Sequence, residues 1–153
     1  MKRIALTQGK FALVDDEDYC LAKKHKWYVT SGGYLLTRDS KIGRLHRYIL
    51  ELNGFNIKGK IIDHKNENKL DNRKSNLRFC NKSENGANST KRLSLSKSGY
   101  KGVYFSQNKW MAKITKNYND IFIGRYDTKE KAALAYNKKA KELFGEFAML
   151  NKV

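Results

Sequence analysis

The stretch LHRYILELNGFNIKGKIIDHKNENKLDNRKSNLRFCNKSENGANST, residues 45–90, decides how the middle of this chain folds. Its opening places Leu45, Ile49, Leu50 and Leu52 at helical spacing with Gly54 behind them, which predicts one short helix ending before that glycine. Gly59 then leads into KIIDH, a brief strand. A polar, asparagine-rich loop runs from Lys65 to Arg73, and NLRFC at 76–80 reads as the returning strand. Ser83 is the expected cap of a helix beginning at Glu84, kept short by Gly86 and the Asn-Ser-Thr cluster at 88–90.

Outward from this core the composition changes. Toward the N-terminus, IALTQ, KFALV, KWYVT and GYLLTR, interrupted by Gly9, Gly32 and Gly33, read as short strands with turns. Toward the C-terminus, KRLSLSKS at 91–98 is a basic, serine-rich linker. YKGVYFS, KWMAKITK and IFIGRYD follow as three strands joined by polar turns. Thr128 then caps a helix whose Ala132, Ala133, Tyr136, Ala140, Leu143 and Phe144 share one face, and Gly145 ends it. A three-stranded sheet carrying one amphipathic helix accounts for this segment.

The formal net charge is +17, from 32 lysines and arginines against 15 acidic residues. It divides as about +2 over residues 1–40, +9 over 41–98 and +6 over 99–153. No fold needs such an excess, and it points to a polyanion. The longest apolar runs are a few residues, which argues against a membrane partner, and the N-terminus lacks a signal-peptide core, so a cytoplasmic location is expected. Cys20 and Cys80 lie far apart with no Cys-x-x-Cys, so buried or inert thiols are expected rather than a zinc site or disulfide.

Asp63, His64, Asn76 and Asn85 are the residues that carry chemistry. Breaking a phosphodiester requires an activated water and relief of charge on the leaving oxygen, which a neutral histidine and a hard cation on oxygen ligands provide. His64, with an ordinary pKa of about 6.5, is available as a base. Asp63 offers a carboxylate and Asn85 a neutral oxygen to Mg²⁺ or Mn²⁺, and Asn76 on the returning strand is placed to hold a ring nitrogen. On residue types alone the alternative stays open, since Asp-His and Asn-Leu pairs are common and loop asparagines usually make turns.

Residues 45–90 closely resemble the HNH endonuclease superfamily, and within it the phage and intron-encoded homing endonucleases of His-Asn-Asn type. The resemblance implies a ββα-metal nuclease unit. Its metal-binding aspartate and general-base histidine fall on Asp63 and His64 in IIDHKN, its histidine-orienting asparagine on Asn76 in SNLR, and its second metal ligand on Asn85 in SEN. The family's LHR element falls on Leu45, His46 and Arg47. Arg47 is then a candidate DNA contact, and His46 either contacts phosphate or is a satisfied core histidine. Asn88, one turn after Asn85, either touches a phosphate or caps its helix. His25 matches nothing catalytic and is read as a surface residue.

Residues 99–151 resemble the DNA-binding domain of plant ethylene-response factors, the APETALA-type domain, through YKGV, KWMAKI, IGRYDT, AALAYNKKA and FGEFAMLN. In that family the sheet enters the major groove. The resemblance makes Lys101, Tyr104, Lys109, Trp110, Lys113 and Arg125 candidate DNA contacts, with Trp110 equally readable as core. Tyr104 and Ser106 stand where plant members carry arginines, and Lys113 where they carry a glutamate. Bidentate guanine readout is thereby removed, leaving mainly phosphate contacts. Lys138, Lys139 and Lys141 on the helix read as a solvated face.

The expected protein is of α+β class. It has a β-rich N-terminal segment (1–44), a ββα-metal nuclease domain (45–90), a basic linker (91–98) and a three-stranded antiparallel sheet packed on one helix (99–153). The expected activity is metal-dependent hydrolysis of double-stranded DNA with Mg²⁺ or Mn²⁺ and no small-molecule cofactor, by a monomer or homodimer, in a homing role, in a bacterial cytoplasm and phage-encoded. A non-catalytic DNA-binding regulator would keep the charge and the sheet but has no need of all four site residues. An RNA partner fits less well, because a groove-reading sheet suits B-form major grooves.

Overall fold

A computed structural model describes residues 1–6, 9–89 and 97–153. Most of the basic linker expected at 91–98 lies outside them. The chain divides into two compact units, Met1–Cys80 and Asn81–Val153. Among the described residues there are small antiparallel sheets and four α-helices, and no helix is long and apolar enough to cross a membrane.

The first unit opens with strands β1 (Lys2–Ala5) and β2 (Phe11–Val14), paired so that Ile4 faces Ala12. Helix α1 (Asp16–Ala22) follows, so the N-terminal segment is not purely β. Its first turn, Asp16, Glu17 and Asp18, places negative charge where the helix dipole favours it. Strands β3 (Trp27–Val29) and β4 (Leu35–Thr37) form a second hairpin. Helix α2 (Leu45–Leu52) buries Leu45, His46, Ile49 and Leu50. Gly54, at φ 77°, ends it in a Schellman turn: Phe55 N–H donates to the Leu50 carbonyl and Gly54 N–H to that of Glu51. Strands β5 (Ile61–His64) and β6 (Leu77–Cys80) then pair with Asp63 opposite Arg78 and His64 opposite Leu77. One core joins these pieces, built on Val14, Trp27, Leu35, Leu45, Ile49, Ile62 and Leu77.

In the second unit, helix α3 (Lys82–Ala87) begins two residues earlier than Ser83 capping would place it. The cap is Asn81, whose side chain accepts from Glu84 N–H while the Glu84 carboxylate accepts from Asn81 N–H. Strands β7 (Val103–Ser106), β8 (Lys109–Lys116) and β9 (Asn119–Tyr126) form one antiparallel sheet with a bulge at Ala112/Lys113. Helix α4 (Lys129–Phe144) lies on it, its Thr128 hydroxyl accepting from Lys131 N–H at the start and Gly145 ending it. Ala132, Ala133, Tyr136, Ala140 and Phe144 form the core with Val103, Ala112, Ile114 and Ala87 of α3.

Cys20 is exposed and Cys80 half-buried, so of the two expectations, buried or inert, burial does not hold for Cys20. It occupies a solvent-facing position of α1, a helix where strands and turns were expected. His25 is only half-exposed: its ring lies 3.3 Å from the Tyr48 hydroxyl and edge-on to Trp27.

Candidate functional site

The end of β5 delivers two polar residues into the first unit. Successive strand residues face opposite sides, so Asp63 and His64 cannot serve the same partners. Asp63 meets its cross-strand neighbour Arg78, whose Nε and Nη2 both donate to Oδ2, at 3.0 and 2.9 Å. His64 turns to the side of α2 and the second hairpin, where it lies edge-on to His46 with ring centroids 5.2 Å apart and 6.2 Å from the ring of Tyr34.

The loop between β5 and β6 supplies the partner of His64, and the partner is Asn72. Its Oδ1 lies 3.3 Å from His64 Nε2, while its Nδ2 donates to the Lys69 carbonyl at 3.2 Å. That second bond fixes which end of the amide faces the imidazole. An amide oxygen only accepts, so Nε2 carries the proton and Nδ1 the lone pair. Burial pulls the His64 pKa below the ordinary imidazole value, against the opposing influence of the Asn72 bond and of Asp63 and Asp71. His64 is therefore neutral at cellular pH and able to accept a proton. His46 behind it is pushed down to about 3, chiefly by burial and then by the charge of His64, and is a neutral core histidine.

Asn76 is buried and holds the loop instead of the imidazole. Its Nδ2 donates to the Asp71 carbonyl at 2.8 Å and its Oδ1 accepts from Asn66 N–H at 3.1 Å. Asp71, 1% exposed, takes a two-pronged contact from Arg73 and a bond from Asn66. The N-terminal segment grips the same loop. Leu13 bridges to Asp71 in parallel, with Leu13 N–H on the Leu70 carbonyl and Asn72 N–H on the Leu13 carbonyl, both 2.8 Å. Asp15 Oδ2 accepts from Lys74 N–H at 2.8 Å, and Lys74 is itself held by Glu17, Asp18 and Asn53. Sequence reasoning missed Asn72, Tyr34 and this brace. The asparagines of the loop look alike in sequence, and only the fold singles one out.

Of the remaining residues, Arg47 is committed to the carbonyls of Ile57 and Lys60. Asn85 is exposed on α3, and Asn88 is the buried C-cap of that helix. Both belong to the second unit. No group of three His, Cys, Asp or Glu residues able to hold a metal ion occurs among the described residues. Asp63 in the first unit offers a carboxylate and Asn85 in the second an amide oxygen, donors of the hard kind that Mg²⁺ and Mn²⁺ accept together with water and phosphate.

On the outer face of the three-stranded sheet, Tyr104, Met111 and Arg125 stand in line across β7, β8 and β9, with Lys113 opposite Phe122. Tyr104 and Phe122 are 46% and 58% exposed, and Lys113 reaches over the Tyr104 ring while paired with Asp120. Lys109 pairs with Asp127. Trp110 is half-buried, packs against the core and lies tilted against Phe105, ring centroids 5.0 Å apart. Lys101 donates to the carbonyls of Gly86, Ala87 and Ser89, so its ammonium is used within the unit.

Residues 44–87 match the HNH endonuclease family. Over 151 residues the chain is 38% identical to an uncharacterized HNH endonuclease of Acanthamoeba polyphaga mimivirus, a similarity covering 95% of this chain and 77% of that relative. No solved structure matches the chain.

Proposed function

Because the chain belongs to the HNH endonuclease family and is thereby a nuclease acting on DNA, we propose that it hydrolyses double-stranded DNA with a divalent cation, using His64 as general base. The observation that carries this reading is the seating of His64 at the end of β5, its Nε2 3.3 Å from an Asn72 Oδ1 whose orientation is fixed by the bond from the same amide to the Lys69 carbonyl.

In this reading His64 Nδ1 takes the proton of the attacking water. Asn72 keeps the ring in one tautomer and one orientation, and Asn76 keeps the loop that carries Asn72 closed. Asp63 and Asn85 are the residues that would hold Mg²⁺ or Mn²⁺, whose chemistry is to stabilise charge on the phosphate and on the leaving oxygen. Arg78, bonded to Asp63, fixes the carboxylate's orientation. Together β5, β6 and α3 would make the ββα unit.

The second unit supplies a DNA grip. Tyr104, Lys109, Lys113 and Arg125 are its proposed contacts, on an outer face that combines exposed aromatics with basic residues, while Trp110, packed against the core, contributes by seating the sheet. Arg47 and Lys101 have their donors occupied by carbonyls and contribute by holding loops. Two linked DNA-binding surfaces raise each other's effective concentration, so neither needs high affinity alone. Resemblance to His-Asn-Asn homing enzymes supports a homing role, and a monomer with one such site nicks one strand.

The test is incubation of the full chain and a His64→Ala variant with supercoiled plasmid, with Mg²⁺ and with EDTA. Metal-dependent nicking or linearisation that disappears in the variant, while DNA binding persists, is the expected result. DNA binding without cleavage in any divalent metal would overturn it in favour of a regulator.

A further inference from the structure

The β3–β4 hairpin lies outside the segment that matches the family, yet its turn reaches the base. Tyr34 is fixed there by three bonds: Thr30 N–H on the Tyr34 carbonyl at 2.8 Å, the Thr30 hydroxyl on the same carbonyl at 3.1 Å and Tyr34 N–H on Thr30 Oγ1 at 3.2 Å. Its ring lies 5.5 Å from His46 and 6.2 Å from His64.

Two cations sit on that ring. Lys69 Nζ is 4.3 Å from its centroid and Arg44 Cζ 4.8 Å. Both are held from behind by backbone. Lys69 donates to the Gly32 carbonyl, and its Cδ lies 3.4 Å from where a Cβ on Gly33 would be, at a glycine with φ +81°. Arg44 is bridged to Leu36 of β4. A carboxylate partner offsets a cation's charge, as Asp71 does for Arg73. An aromatic ring orients a cation and leaves its charge available to an anion, as Tyr34 does for Arg44. Arg44 makes no ion pair among the described residues.

We propose that Tyr34, Arg44 and Lys69 form a subsite for a DNA backbone phosphate adjoining the scissile one, built by the N-terminal hairpin on the His64 side of the nuclease site. The proposal rests on the reading of His64 as the base. A duplex whose scissile phosphate lies near His64 brings the neighbouring phosphates of that strand to within one nucleotide step of it. Arg44 and Lys69 would take one of them, with the Tyr34 hydroxyl as a further donor. The N-terminal segment then sets the register of the DNA on the catalytic loop as well as bracing that loop.

The experiment uses the full chain and measures DNA affinity in EDTA across a salt series, then KM and kcat with Mg²⁺. Removing one charged interaction with a phosphate lowers the slope of log affinity against log salt by about 0.9. The Arg44→Gln/Lys69→Gln double variant is expected to lower the slope by about that amount and to raise KM about tenfold, with most of the rate recovered at saturating DNA. Arg44→Lys with Lys69→Arg restores the slope, and Tyr34→Phe gives a smaller rise in KM than Tyr34→Leu. Lys138→Gln/Lys141→Gln, an equal charge loss on the exposed face of α4, is the control. An unchanged slope in the first double variant, or the same decrease in the control, would overturn the subsite. Because affinity is read without metal, that outcome is separate from retained cutting by His64→Ala, which would instead overturn the assignment of the base.

Discussion

Asn72 Oδ1 sits 3.3 Å from His64 Nε2, and the same amide donates to the Lys69 carbonyl, so the imidazole is held by a side chain that cannot flip without breaking a second bond. Replacing Asn72 by alanine frees the ring to change tautomer and to rotate, and kcat is expected to fall about tenfold to a hundredfold with KM little changed. Asn72→Asp keeps an acceptor but adds a charge that raises the His64 pKa. Its pH–rate profile is expected to shift its acid limb upward, a change that a loss of packing would not produce. Steady-state nicking of plasmid DNA between pH 5 and 8 reads both.

The brace on this loop predicts a long-range effect from residues far from the chemistry in sequence. Asp15 accepts the Lys74 N–H, and the Leu13 backbone clasps Leu70 and Asn72 on either side. Asp15→Ala leaves the Lys74 amide without its partner and loosens the turn that carries Asn76. An approximately tenfold loss of kcat is expected, whereas Asp15→Asn, which still offers an amide oxygen, should lose less than about threefold. Equal losses in the two variants would point to the carboxylate charge rather than to the bond.

These two relationships mark where the sequence was legible. Elements with strong local signals formed as read: α2 on its apolar period before Gly54, β5 and β6 around the asparagine-rich loop, and α4 between Thr128 and Gly145. Helix α1 was missed because it is only about two turns long and its sign is a charge gradient, acidic at Asp16–Asp18 and basic at Lys23 and Lys24, between apolar runs that favour strands. The cap of α3 was misplaced because Asn81 and Ser83 are both good caps, and the choice depends on Glu84 reaching back. Asp63 and His64 were legible as adjacent polar residues on a strand. The partner of His64 was not, because Asn72 and Asn76 differ only in which way the loop turns them, and that is set by Leu13 and Asp15, far upstream in the chain.

The histidine pair makes the first unit sensitive to acid. His46 titrates near 6.5 in the unfolded chain and at about 3 in the folded one, and the His64 pKa is also lowered by burial. Below pH 6.5 the unfolded chain binds protons that the folded chain refuses, so stability falls as pH decreases toward 3 and is fully present above 6.5. The slope approaches about 1.4 kcal/mol per pH unit for each such histidine. Between about pH 7 and 5 carboxylates scarcely titrate, which isolates this effect. In a Trp110→Phe background, urea unfolding followed by the fluorescence of Trp27, buried in the first unit, should show the decline, and His46→Gln should make it shallower. An identical slope in that variant would place the acid sensitivity elsewhere.

Two glycines of the second unit share a backbone conformation but not an environment, and that separates strain from clash. Gly99 and Gly102 have φ of +75° and +71°. A Cβ at Gly99 meets nothing within 4 Å, whereas one at Gly102 would lie 2.2 Å from the Tyr136 ring and 2.5 Å from the Lys113 carbonyl oxygen. Gly102 is also where β7 and β8 meet, its carbonyl accepting from Lys113 N–H at 2.8 Å, so the backbone cannot withdraw without giving up that bond. Tyr136 is buried against the sheet and has no room to swing aside. Gly99→Ala should therefore cost about 1 kcal/mol, the penalty of a left-handed residue alone. Gly102→Ala should cost about 3 kcal/mol or more, since the ring, the strand or both must shift. Thermal unfolding followed by Trp110 fluorescence in a Trp27→Phe background measures the two. Similar costs at both positions would mean that α4 moves off the sheet more readily than its packed alanines and Tyr136 imply, and that the β7–β8 junction is not what seats the helix.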